Sequence, residues 1–248
     1  MTETAQEINR ILNSYVAIDL ETTGLDPKRD RVIEIGAVKV IEGRIVEKLS
    51  CFVNPRMAIT EYTKELTGIT DEMVSEAPDM DTLIESVVAF CSELPILGHH
   101  IIFDYSFLKR AAVNKGLEFE KNGIDTLAIC RKYMPEEEKK NLMSACTYFG
   151  ISMDASHRAV PDAQAAHYLY QALKKRVKNQ EDDLFFGKPL LYKVKKEHPA
   201  TKKQKQDLRD LAKYHKIVLS VQIDSLTRNE VSRMTDKIIL QYGRIKKR

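Results

Sequence analysis

A chain of 248 residues with 43% hydrophobic content is long enough to bury a full core and leave material for a second, smaller unit, which excludes disorder throughout. The net charge of +3 conceals an imbalance, because residues 181–248 carry 17 Lys+Arg against 9 Asp+Glu while residues 1–180 carry 22 against 27. No apolar run reaches the roughly 18 residues of a membrane span, residues 1–13 lack the apolar stretch of a signal peptide, and Cys51, Cys91, Cys130 and Cys146 form no C-x-x-C pair. A soluble, cytoplasmic protein with no membrane partner, structural zinc or disulfide is the expectation.

Along the chain, residues 15–20 (YVAIDL), 31–41 (RVIEIGAVKVI) and 44–53 are rich in Val and Ile and are separated by turn signals at Gly24, Pro27 and Glu42-Gly43. They predict three strands in meander order. Residues 59–66 read as a short helix stopped by Gly68, 81–91 as a longer amphipathic helix and 95–99 as a buried strand. Helical patterns follow over 105–115, 126–133, 142–149 and 161–178. The order predicts an α/β domain with a mixed sheet over residues 1–180. Residues 181–199 hold Glu-Asp-Asp, the apolar knot Leu184-Phe185-Phe186, then Gly187, Pro189 and Pro199 among lysines, and read as a linker. Helical patterns over 201–215 and 227–242, the second opening with the capping box Thr227-Arg228-Asn229-Glu230, predict a small basic helical module over residues 200–248.

Candidate chemistry begins in the first strand. Side chains alternate along a strand, so Val16, Ile18 and Leu20 share one face and Asp19 and Glu21 share the other. Two neighbouring carboxylates at a buried strand end repel each other and lose solvation, a cost that a divalent cation between them relieves. Asp104 stands where an apolar strand gives way to a helix, a position that a helix N-cap would also explain. Pro161 suits the first turn of the helix that follows, which places Asp162 in that turn and His157 on the preceding loop. A carboxylate near a helix N-terminus stays ionised more readily, by about 0.3 to 1 kcal/mol at a surface.

Together Asp19-Leu20-Glu21-Thr22-Thr23-Gly24, Phe103-Asp104 and His157-Arg158-Ala159-Val160-Pro161-Asp162, in this order, resemble the three motifs of the DnaQ-like (DEDDh) 3′→5′ exonuclease family, the type of the polymerase III epsilon proofreading subunit. The resemblance covers about residues 13–177 and includes Leu66-Thr67-Gly68-Ile69-Thr70 and Ile124-Asp125-Thr126-Leu127. It implies a ribonuclease-H-like mixed sheet flanked by helices. It departs at one position, where the family commonly places Asn and this chain has His100; that puts in doubt a supporting contact near Asp104 and leaves the metal ligands in place.

The resemblance further implies that Asp19, Glu21, Asp104 and Asp162 bind two divalent cations, Mg²⁺ or Mn²⁺, with Asp19 bridging. His157 would take the proton from the attacking water, as an imidazole with an ordinary pKa of about 6.5 suits, and nucleoside 5′-monophosphates would leave from single-stranded 3′ ends, DNA rather than RNA. Thr22, Thr23 and Gly24 would meet the terminal nucleotide, with Gly24 either adopting a positive φ or making room. Leu66 is similar to positions that wedge against the last base, ordinary core packing being the alternative. An exoribonuclease of the same fold and a non-catalytic polymerase-associated nucleic-acid-binding subunit are the rival readings; a DNA polymerase or replisome partner is implied. The basic module is expected either to hold nucleic acid or to dock a polymerase or another partner, and its charge, which suits a polyanion, favours the first.

Overall fold

The structure, a computed structural model, describes residues 12–153, 158–177 and 183–245. Its first three strands are β1 (Tyr15–Thr22), β2 (Val32–Ile41) and β3 (Arg44–Phe52), an antiparallel meander as the Val- and Ile-rich runs predicted. Two short helices, α1 (Glu61–Thr67) and α2 (Asp71–Ser75), and the longer α3 (Met80–Cys91) lead into β4 (Ile96–Gly98). Then come α4 (Ile102–Lys115), β5 (Asn122–Asp125), α5 (Thr126–Tyr133), α6 (Leu142–Tyr148) and α7 (Ala159–Arg176). A short β6 (Lys188–Pro189) completes one sheet of order β3-β2-β1-β4-β5-β6, in which β4 runs parallel to both β1 and β5. This is the mixed, ribonuclease-H-like α/β sheet that was expected.

Each face of the sheet carries its own core, and the alternation along β1 decides which residue joins which. Tyr15 and Ala17 pack with Leu169, Tyr170 and Leu173 of α7. Val16, Ile18 and Leu20 pack with Ile84 and Val87 of α3 and with Tyr105 and Leu108 of α4. By the same period of two, Asp19 and Glu21 continue the face that α7 covers. Among the described residues, no helix is long and apolar enough to cross a membrane.

The described part of the segment read as a linker lies along the domain. Phe185 is fully buried and its carbonyl accepts from the Tyr170 hydroxyl at 3.0 Å, Lys188 and Pro189 pair with β5, and the Leu190 amide donates to the Lys121 carbonyl at 2.9 Å. Beyond it, α8 (Lys202–Tyr214) and α9 (Arg228–Tyr242) enclose a small core of Ala200, Leu208, Leu211, Leu226, Val231 and Ile238. Both helices open with a capping box: Thr227 with Glu230, as the sequence predicted, and Thr201 with Gln204.

Candidate active site

The carboxylates come together at one end of the sheet. Oxygens of Asp19, Glu21 and Asp162 all lie within 4.8 Å of one another. Asp19 and Glu21 are two residues apart at the end of β1, while Asp162 stands in the first turn of α7. The fourth carboxylate, Asp104, is buried in the first turn of α4. It is not the N-cap of that helix; Ile101 holds the cap position, and Asp104 Oδ1 accepts from the Leu20 amide at 3.0 Å, which fastens α4 to the strand between Asp19 and Glu21. His157 lies outside the described residues.

The electrostatics follow from crowding. Burial, then the charges of Asp104, Asp162, Glu21 and Glu34, hold the Asp19 carboxyl well above the usual carboxylate range. Glu21 is pushed up to about 7 by burial and by Asp162 and Glu34, with Arg158 opposing. Asp104 rises to about 8, mainly through burial, against the hydrogen bond from Leu20. A group of carboxyls that resists ionisation in this way lacks positive charge, and an all-oxygen donor set suits hard divalent cations. The residues present therefore fit a metal site.

Two features outside the three motifs hold Asp162 against β1. Glu34, paired with Glu21 in the β1–β2 register, is buried and grips Arg158 through both oxygens: Arg158 Nε donates to Oε1 and Oε2 at 3.1 and 3.0 Å, and an Arg158 terminal nitrogen donates to Oε1 at 2.7 Å. Glu34 Oε2 also accepts from the Ala159 amide at 3.1 Å, so one carboxylate caps α7 and orients the residue beside His157. Gly36 is the second feature, since a Cβ there would stand 2.1 Å from the backbone carbon of Ala159. The signal for Glu34 was legible, because an acidic residue within an otherwise apolar strand run calls for a partner.

The loop after β1 is tightly held. Thr23 is buried, its hydroxyl accepts from the Arg31 amide at 2.9 Å and its amide donates to the Arg31 carbonyl at 2.8 Å. Thr22 donates its hydroxyl to the Gly24 carbonyl at 2.7 Å. Gly24 does not take a positive φ; a Cβ there would meet the Asp30 carboxylate at 2.5 Å, so the space beside it is occupied by Asp30. Leu66 is 47% exposed on α1, so core packing does not account for it, and Tyr62 one turn earlier is 74% exposed. His100 is exposed, adopts φ 77° and donates its amide to Asp125 Oδ1 at 2.9 Å.

A family model described as an exonuclease, RNase_T, matches residues 16–170, a stretch that contains all four carboxylates. The DNA polymerase III PolC-type of Clostridium perfringens (strain 13 / Type A) is 35% identical over 170 residues, which are 68% of this chain and 12% of that polymerase. Its counterpart in Bacillus subtilis (strain 168) is 39% identical over 159 residues, 63% of this chain and 11% of the polymerase. This chain thus spans only a small part of the length of those relatives. Among solved structures, Exonuclease X in complex with 5′ overhanging duplex DNA is similar with a TM-score of 0.50 and 26% identity over 68% of this chain and 98% of that one. Apo Exonuclease I reaches a TM-score of 0.60 at 18% identity, covering 70% of this chain and 44% of that one, a likeness of fold.

Proposed function

The chain belongs to the exonuclease family whose model spans residues 16–170, and on that premise we propose that it removes nucleotides from single-stranded 3′ ends of DNA by metal-dependent hydrolysis. The observation that carries this reading is the convergence of Asp19, Glu21 and Asp162 within 4.8 Å, with Asp104 fastened beside them through the Leu20 amide. These four residues would hold two divalent cations, Mg²⁺ or Mn²⁺. Cations bound there neutralise charge at the scissile phosphate and make a bound water more acidic.

The remaining steps fall to the chain. His157 takes the proton of the attacking water, whose oxygen joins the phosphorus while the 3′ oxygen departs with the shortened strand. The product is a nucleoside 5′-monophosphate. General-base assistance of this kind is worth about 10² to 10⁴ in rate. The Thr22–Gly24 backbone and exposed Leu66 receive the terminal nucleotide. The polymerase III relatives and the DNA complex of Exonuclease X support DNA as substrate and a polymerase as partner.

The test is digestion of 3′- and 5′-labelled single-stranded DNA and RNA side by side with Mg²⁺, Mn²⁺ and EDTA. Mononucleotide release from the 3′ end of DNA, abolished by EDTA, is expected. Activity indifferent to EDTA overturns the metal assignment, and faster release from RNA replaces the substrate.

A further inference from the structure

We propose that the C-terminal helices brace the candidate active site, with Glu230 as the positioning residue that fixes the Thr22–Gly24 turn through Arg31. The kinetic part of this proposal rests on the nuclease reading; the mechanical part does not.

Composition alone presents residues 200–248 as a basic attachment, yet they reach the loop that follows β1 and, through Glu197 of the preceding segment, α4. Glu230 Oε1 accepts a charged hydrogen bond from an Arg31 terminal nitrogen. The Glu230 side chain is only 8% exposed, and its other oxygen closes the cap of α9 by accepting from the Thr227 amide at 2.8 Å and the Thr227 hydroxyl at 2.9 Å. The carboxylate is thereby fixed on its own helix before it meets Arg31, which makes it a rigid anchor rather than a flexible surface charge.

Arg31 passes that constraint on. Its backbone is bonded in both directions to Thr23, two residues beyond Glu21. A second link arrives at the same place. The Ala58 amide donates to the Ser220 carbonyl at 2.8 Å and the Gln222 amide to the Arg56 carbonyl at 2.9 Å, so Val221 is bridged to Met57. The Met57 sulfur in turn lies 3.9 Å from the Thr23 hydroxyl. A third link reaches α4, where Arg110 pairs with Glu197, which also accepts from Asn229 at 3.2 Å. Thr23 is thus held from two sides by residues about 200 positions away, and the helix of Asp104 is tied to the same unit.

Glu230→Gln is the discriminating variant, because Gln still serves a capping box while the charge that holds Arg31 is lost. The full-length chain is used, with a tetranucleotide substrate and hydrogen exchange followed over residues 22–31. Exchange in that segment should quicken while α9 keeps its protection. kcat/KM should fall roughly tenfold, since small misplacements of positioning groups cost up to about 10²-fold. Arg31→Gln should match it, Arg31→Lys should recover most of the loss, and the double variant should be no worse than either single one. Parental exchange and parental kcat/KM in Glu230→Gln and in Arg31→Gln overturn the brace. A parent that hydrolyses nothing refutes the nuclease reading instead, and exchange alone then decides whether the turn is held.

Discussion

Asp19 lies opposite Gly36 in the β1–β2 register, and the missing side chain of Gly36 is what lets the first residues of α7 settle over that pair. Asp162 depends on this approach. A methyl group at position 36 would meet the backbone of Ala159 and Val160 at 2.1 to 2.2 Å, and helix backbone cannot step aside as a flexible side chain does. Gly36→Ala should therefore destabilise the fold by about 1 to 3 kcal/mol through overpacking and remove most activity by drawing Asp162 away from Asp19. Chemical denaturation together with nucleotide release checks this; parental values for both would mean that α7 does not need the close approach.

Asp19→Ala should abolish metal-dependent nucleotide release. In metal-free buffer the same change should leave the thermal midpoint unchanged or raised, because a carboxyl whose ionisation is opposed by burial and by Asp104, Asp162, Glu21 and Glu34 is removed. Degradation of DNA at the parental rate would end the assignment of Asp19 as a ligand.

Stability without metal should depend on pH in a definite direction. Glu21 and Asp104 have folded-state values of about 7 and about 8, above the ordinary 4.5 and 3.8 of these side chains. A raised carboxyl favours folding while it is protonated, so its contribution is complete below the unfolded value and is lost as pH rises through the folded one. With chelator present, the thermal midpoint should fall between about pH 5 and pH 8. Mg²⁺ should restore more stability at pH 8 than at pH 5. A midpoint that rises over this range in EDTA would contradict the carboxylate crowding.

The two partners of the Glu34–Arg158 clamp should not be equivalent. Arg158 is 37% exposed in its side chain and can turn to water when Glu34 is lost, whereas Glu34 is 3% exposed and cannot. Arg158→Ala should thus cost more than Glu34→Ala, towards the roughly 3 to 5 kcal/mol that follows when a buried charge loses its partner. Denaturant titration of both variants decides the order, and equal losses would show that Glu34 finds solvent after all.

The basic helices should also supply salt-dependent strand binding. Truncation after Gln180 is a blunt test, since it strips fully buried Phe185 from the core as well as the charge. Replacing exposed Lys202, Lys203 and Lys213 of α8 with Gln is cleaner. Every phosphate that these lysines no longer neutralise should make the slope of log affinity against log salt shallower by about 0.7 on a single strand. Tetranucleotides should be affected far less. An unchanged slope on long strands would show that these lysines do not hold the strand.

Local patterning was legible because it is local. The period of two in YVAIDLE placed Asp19 and Glu21 on one face, Thr227 and Glu230 marked the start of α9, and Pro161 put Asp162 in the first turn of its helix. The strand Asn122–Asp125 escaped as an element because four residues beginning Asn-Gly carry almost no periodicity, and only its neighbours in the sheet make it a strand. What the sequence by itself determined is the set of candidate carboxylates, Asp19, Glu21, Asp104 and Asp162, and the element on which each stands. Only the tertiary structure decided that Asp104 turns to the Leu20 amide instead of capping its helix, that Glu34 and Gly36 seat α7, that Leu66 faces outward, and that Glu230 reaches Arg31. Each of these is a meeting of residues far apart in the chain, or of a side chain with solvent, set by how packed elements lie in space, and no spacing within one segment can encode it.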